Sequence, residues 1–194
     1  MNYGYVPGPH EQSWQVDRIH DEQYSLQMYH YLATKTETRG KHLLEVGSGR
    51  GGGARHIAQA LKPASYTGMD IAHNAVELAN RIHQLPNLKF IQGSAESIPL
   101  ADSSIDVVIN VESCHAYGSV CRFLAEVTRV LRPGGYFLMV DFRSSKNMAI
   151  LKDQLKETGM ETLIEEDISD NVIRSIEASN VAKTERIRTL IPER

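Results

Sequence analysis

A chain of 194 residues is the length of one domain with a three-layer core, at about 100 to 200 residues per domain. Its 21 Lys and Arg stand against 24 Asp and Glu, for a net charge of -3, so no basic excess is available for a polyphosphate partner and nucleic acid is disfavoured. No run approaches the roughly 20 apolar residues of a membrane span and no basic segment leads into an apolar stretch at the N-terminus, so the reading is a soluble, cytoplasmic protein.

The first 40 residues read as an N-terminal segment, an aromatic stretch and then a helix over residues 16–32. From His42 onward, short apolar runs alternate with helical periods, the pattern of parallel strands joined by crossover helices. The first strand, residues 43–46, breaks into Gly47-Ser48-Gly49-Arg50-Gly51-Gly52-Gly53. A helix follows with Ala54, Ile57, Ala58 and Leu61 on one face, stopping before Pro63. The second strand, residues 65–69, ends at Asp70, and Asn74 is the expected cap of a helix carrying Val76, Ala79 and Ile82. Strands are expected at 88–91 and 105–110. Phe123, Leu124, Val127, Val130 and Leu131 form the stripe of the next helix, closed by Pro133-Gly134-Gly135. Strand five, residues 136–140, ends at Asp141, and a helix marked by Met148, Ile150, Leu151 and Leu155 ends at Gly159. A sixth strand is expected at 160–164, and Ser169-Asp170-Asn171 offer caps for a last helix. Cys114 and Cys121 have no Cys-x-x-Cys or His-x-x-x-His companion, so both are read as reduced thiols and no metal is expected.

Glycines at a strand-to-helix turn let a ligand approach bare backbone and the helix N-terminus. Gly47, Gly49 and Gly52 fit the G-x-G-x-x-G spacing of dinucleotide binders, which makes a nicotinamide-dependent oxidoreductase one reading. Glu45 argues against it, because its charge would lie close to a pyrophosphate in a partly dry site. S-adenosyl-L-methionine, with an ammonium, a sulfonium and no phosphate, suits the acid better. The plainer alternative is a strand-end acid that caps local backbone donors.

Four segments in register carry a family resemblance: residues 45–51, Gly68-Met69-Asp70-Ile71, residues 93–99, and Glu126 with residues 130–135. Over residues 40–165 the chain resembles class I S-adenosylmethionine-dependent methyltransferases, in the small-molecule and lipid branch of phthiotriolone-type enzymes. The resemblance implies an α/β, Rossmann-like three-layer sandwich with a mostly parallel central sheet. Residues 41–194 would form the cofactor-binding core and residues 1–40 a helical lid. It also implies a last, antiparallel strand that this chain lacks, leaving open edges that invite pairing into a homodimer.

The same resemblance places Glu45, Gly47, Ser48 and Gly49 along the methionyl and ribose parts of the cofactor, Asp70 on the ribose hydroxyls and Ile71 over the adenine face. Ser94 and Ala95 would meet the adenine edge, although Ser94 stands where many relatives have Asp and a hydroxyl is a shorter, uncharged acceptor. Asn110 and Val111 would lie beside the methionine portion through backbone groups. Asp70 read without the resemblance is equally a cap for the helix after it.

Methyl transfer needs donor and acceptor held in line, and a base if the acceptor is a hydroxyl. His115, just after the fourth strand, is the candidate base; a pocket-lining imidazole is the alternative. Glu112 and Tyr117 are expected to line the acceptor, and Glu112 is a second candidate base. Tyr3 and Tyr5 are candidate lid residues, with a frayed terminus as the alternative. Arg18 and Tyr24 are weaker candidates for the methionine carboxylate. The expected function is methyl transfer from S-adenosyl-L-methionine to a small-molecule or lipid-like acceptor at oxygen. The alternative of a different class is a cofactor-binding domain without catalysis that acts through a protein partner.

Overall fold

The computed structural model describes residues 2–9 and 22–190. After helix α1 (Gln23–Ala33) the chain runs β1 (His42–Val46), α2 (Gly52–Ala60), β2 (Ser65–Asp70), α3 (His73–Ile82) and β3 (Leu88–Gln92). It continues through β4 (Ile105–Val111), a 3-10 turn (Cys114–Ala116), α4 (Val120–Val130), β5 (Leu131–Val140), α5 (Ser145–Glu157) and α6 (Ser169–Leu190). The strands form one sheet in the order β3-β2-β1-β4-β5, and every pairing is parallel. The strand order reverses between β1 and β4, where open parallel sheets bind ligands at their carboxyl ends. Among the described residues no helix is long and apolar enough to cross a membrane.

Alternation along each strand divides the core in two. Leu43, Val107, Ile109 and Val111 face Ala54, Ile57 and Ala58 of α2 and Met28, Tyr31 and Leu32 of α1. Leu44, Val46 and Val108 face Phe123, Leu124, Val127 and Val130 of α4, with Leu151 of α5. The expected helical stripe of α4 is therefore the face that covers the sheet, and helix α1 is a layer of the core.

Three local expectations change. Helix α3 begins after Ala72, which makes no side-chain cap bond, so Asn74 lies within the first turn. The Asn171 side chain donates to the Val6 carbonyl, while Asp167 accepts from Ser169 N at the start of α6. No sixth strand forms at 160–164. Leu163 and Ile164 are 64% and 55% exposed, and the segment is tethered by ion pairs from Glu165 to Lys152 and Glu166 to Lys35. A strand needs a hydrogen-bonded neighbour, and this run has none. Helix residues 16–21 of the sequence reading lie outside the described residues.

Candidate active site

The loop after β1 is shaped by glycines in the left-handed region, with φ +83° at Gly47, +53° at Gly49 and +78° at Gly51. Its amides are tied to β2: Gly47 N and Ser48 N donate to Met69 O, and Gly49 N donates to Asp70 Oδ2 at 2.7 Å. A Cβ at Gly47 would meet Ser113 Oγ at 2.5 Å and Tyr117 OH at 2.9 Å, so both the dihedral and the space demand glycine. At Gly49 nothing lies within 4 Å of a built Cβ, so the backbone there is open to a ligand.

Asp70 sits half-buried at the end of β2, its Oδ1 accepting from Ala72 N at 2.9 Å. It is therefore a cap of the α3 turn and a clamp on the glycine loop together, with lone pairs left for further donors. Ile71 beside it is 71% exposed, an apolar face next to an acid. Across the same sheet end, Ser94 Oγ accepts from Glu96 N, and half-buried Ala95 packs against the α4-side core. The loop carrying them is stapled from α4. Arg129 donates to the carbonyls of Ile98 and Leu100 and pairs with Glu126 and Asp102, and Glu126 accepts from Ile98 N. Ser48 Oγ and Asn110 Oδ1 are buried without a hydrogen-bond partner, each costing about 1–3 kcal/mol if left so. Bare glycine backbone, an accessible acid, an exposed apolar side chain and unsatisfied polar atoms fit a phosphate-free nucleoside such as S-adenosyl-L-methionine.

Glu45 corrects the sequence reading. It shares the Leu43 face of β1, and its carboxylate is 0% exposed, accepting from Tyr29 OH at 2.5 Å and Tyr66 OH at 2.9 Å. The two acids do not open on one cavity: Asp70 meets the glycine loop and Glu45 is sealed between tyrosines. Burial pushes the Glu45 carboxyl up from 4.5 to about 7, against the pull of the two tyrosine bonds. An unfolded Glu releases its proton near pH 4.3, so between about 4.3 and about 7 the folded chain holds a proton the unfolded chain has lost, and stability falls as pH rises. At about 1.4 kcal/mol per unit the fall is on the order of 4 kcal/mol. Glu45→Gln keeps the shape without the titration, so its urea-unfolding free energy should be flatter over this window by that amount. Parallel pH curves for the two proteins would show that Glu45 stays ionised in the fold.

A second cluster of side chains forms where β4 and β5 end together, with Val111 opposite Val140. His115, on the turn after β4, places Nδ1 2.6 Å from Asp141 Oδ1, and the Asp141 side chain is only 1% exposed. Asp141 Oδ2 lies 3.0 Å from Arg143 Nη2, an ion pair out of line for a hydrogen bond, and the same guanidinium nitrogen donates to Cys114 Sγ. Burial, and then the neighbouring Asp141 charge, push the Cys114 thiol up to about 11. The Phe142 ring stands 4.4 Å from that of His115. Glu112 has φ +45°, a strained backbone of the kind that clusters at functional sites, and its Oε2 accepts from Tyr3 N at 3.0 Å. Burial raises the Glu112 carboxyl, and the Tyr3 bond opposes that rise.

Among the sequence candidates, His115, Glu112 and Tyr3 converge here. Tyr5 does not: it is fully buried and stacks on Tyr31 at 4.2 Å, so it is a core residue and no lid. The Val111 side chain is buried in the sheet core, which leaves its backbone as the part available to a ligand. Tyr24 contributes its carbonyl to Tyr5 N, and Arg18 lies outside the described residues. Asp141, Phe142, Arg143, Tyr29 and Tyr66 were not among the sequence candidates. An acid at the carboxyl end of the strand beside the His-bearing turn was the available signal for Asp141.

Tyr117, expected to line the acceptor, has its hydroxyl bonded toward the glycine loop. Its hydroxyl, with Asn110 Nδ2 and Ser113 Oγ, converges on the Val46 carbonyl at 3.2, 2.9 and 3.2 Å. Burial raises its pKa to about 12. This clip joins the glycine loop to the turn that carries His115, so Tyr117→Phe should cost about 1 kcal/mol of stability, the worth of one hydrogen bond. It should also weaken S-adenosylhomocysteine binding about threefold to tenfold by calorimetry; unchanged affinity would mean that the clip does not set the loop.

Residues 44–139 match the family described as "Methyltransferase domain". Phthiotriol/phenolphthiotriol dimycocerosates methyltransferase 1 from Mycobacterium ulcerans is 45% identical over 80% of this chain and 57% of its own length. The probable methyltransferase 2 of that name and organism is 39% identical over 95% of this chain and 69% of its length. A fatty-acid O-methyltransferase from Mycolicibacterium smegmatis is 38% identical over 91% of this chain and 65% of its length. The chain thus spans less than two thirds of the first and last of these relatives. With the sheet order, the glycine loop and its acid in place, the chain belongs to the class I S-adenosylmethionine-dependent methyltransferase family.

Proposed function

We propose that this chain transfers a methyl group from S-adenosyl-L-methionine to an oxygen of a lipid-like acceptor, with His115 as the base. The single observation that carries the reading is the pairing of His115 Nδ1 with the buried Asp141 carboxylate at 2.6 Å, at the carboxyl ends of β4 and β5. When bound, the cofactor supplies an electrophilic methyl on a positively charged sulfur. Asp70 accepts from the ribose hydroxyls, Ile71 covers the adenine, and Ser94 and Ala95 meet its edge. Gly47, Ser48, Gly49 and Asn110 hold the methionyl side.

On the acceptor side, Asp141 accepts the Nδ1 proton and fixes the tautomer, which leaves the lone pair on Nε2 for the acceptor hydroxyl. Where the acceptor is a hydroxyl, its proton would pass to Nε2 as the oxygen takes the methyl and the sulfur–methyl bond breaks, the sulfur leaving as a neutral thioether; a fatty-acid carboxylate is already ionised and has no proton for His115 to take. The imidazolium is stabilised by Asp141, whose own charge is held by Arg143. The relatives whose names specify a triol-derived lipid or a fatty-acid oxygen support the acceptor class.

The test is incubation of purified protein with S-adenosylmethionine carrying a deuterated methyl, with long-chain diols and fatty acids offered separately. The expected product is a methyl ether or ester identified by fragmentation. Label recovered only on carbon or nitrogen, or on no acceptor while S-adenosylhomocysteine binds, would overturn the reading.

A further inference from the structure

Two aromatic rings lie open to solvent beside the candidate base. Tyr3 is 53% and Phe142 48% exposed, and their centroids are 5.3 Å apart in an edge-to-face arrangement. Phe142 in turn abuts His115. Aromatic side chains carry large apolar areas, and leaving two of them together in water forgoes the burial they would gain against an apolar partner.

The N-terminal residue of this pair is no loose end. Both backbone polar groups of Tyr3 are held by side chains from distant parts of the chain: its N–H by Glu112 Oε2 and its carbonyl by Ser175 Oγ of α6 at 2.7 Å. The next residues are held as well. Gly4, at φ +83°, leaves no room for a Cβ, which would meet Ser175 Oγ at 2.3 Å. Tyr5 N donates to Tyr24 O, and Val6 N donates to Asn171 O. The ring of Tyr3 is thus presented on a fixed backbone, edge-on to a ring that touches the base.

We propose that Tyr3 and Phe142 form the apolar subsite of the acceptor and take the alkyl segment adjoining the methylated oxygen. The proposal rests on the reading of His115 as base and adds the residues that select for an apolar acceptor. The occupant follows from position: the two rings are continuous with the imidazole, so a hydroxyl at Nε2 places its nearest carbons against them. Polar acceptors of the same size gain nothing from these rings and are discriminated against by that difference. Tyr3 is then a specificity residue through its ring alone, since its ties to Glu112 and Ser175 run through the main chain.

The test is equilibrium binding of 1-octanol and of triethylene glycol, a polar alcohol of similar length, to protein saturated with S-adenosylhomocysteine, for wild type, Phe142→Ala, Phe142→Leu and Tyr3→Ala. Wild type is expected to hold octanol well above the glycol. Phe142→Ala should weaken octanol about tenfold with the glycol nearly unchanged, a loss of the size expected for a partly buried aromatic contact. Phe142→Leu should recover most of the affinity, and Tyr3→Ala should fall between. Both positions are half exposed, so the variants are expected to fold, and retained S-adenosylhomocysteine affinity checks this. Octanol affinity equal in wild type and Phe142→Ala, or a loss in Phe142→Ala that is the same for both alcohols, overturns the subsite. Because no turnover is measured, a failure to methylate oxygen would refute the proposed reaction and leave this outcome distinct from it.

Discussion

His115→Ala is expected to lower the turnover of methyl transfer to a hydroxyl acceptor about a hundredfold to ten-thousandfold, the range for removing a positioned general base. S-adenosylhomocysteine affinity should be unchanged, because His115 faces Asp141 and Phe142 and makes no bond to the glycine loop. Asp141→Asn is the sharper companion. An amide of nearly the same shape can present its NH2 to Nδ1, which reverses the tautomer and puts the proton on Nε2, where the lone pair is needed. Turnover should then fall almost as far as in His115→Ala with little loss of cofactor binding, while stability also falls, because the largely buried Arg143 loses its counter-charge. Activity within threefold of wild type in both variants would remove the pair from the chemistry and leave His115 as wall.

The second large effect concerns the cofactor. Asp70→Ala removes the acceptor for Gly49 N and Ala72 N and the proposed partner of the ribose hydroxyls. Hydrogen bonds to a charged group are worth about 1.5–3 kcal/mol each, so losing two to the ribose amounts to about a hundredfold or more in affinity. Asp70→Asn, which still accepts at one oxygen, should fall between. Calorimetric titration with S-adenosylhomocysteine reads this directly, and a dissociation constant within twofold of wild type in Asp70→Ala would show that the ribose lies elsewhere.

Much of the fold was legible because its signals are local. Each parallel strand is a short apolar run bounded by glycine, proline or an acid, and α4 carries its stripe at helical spacing. The same locality explains the errors. Met160, Leu163 and Ile164 look like a strand, but strand formation depends on a neighbour that composition does not reveal. The acids at the ends of β1 and β2 looked equivalent as sequence; pleat alternation sends Glu45 to the α1 side, where Tyr29 and Tyr66 close over it. Tyr3 and Tyr5, two apart in an extended stretch, would share a face by simple alternation, yet the left-handed turn at Gly4 sends one outward and the other into the core. Asp141 was visible as a strand end. Its contact with His115, 26 residues earlier in the chain, depends on the register of β4 against β5, which sets Val111 opposite Val140.

Residues 3–6 meet α6 through contacts that span most of the polypeptide, Tyr3 to Ser175 and Val6 to Asn171. The five strands described are complete by Val140, so on the ribosome, at about 5–20 residues per second, the proposed cofactor site can assemble seconds before the proposed acceptor wall exists. During that interval the Phe142 ring has no Tyr3 fixed against it, and the newborn domain can capture its nucleoside before it can recognise what to modify.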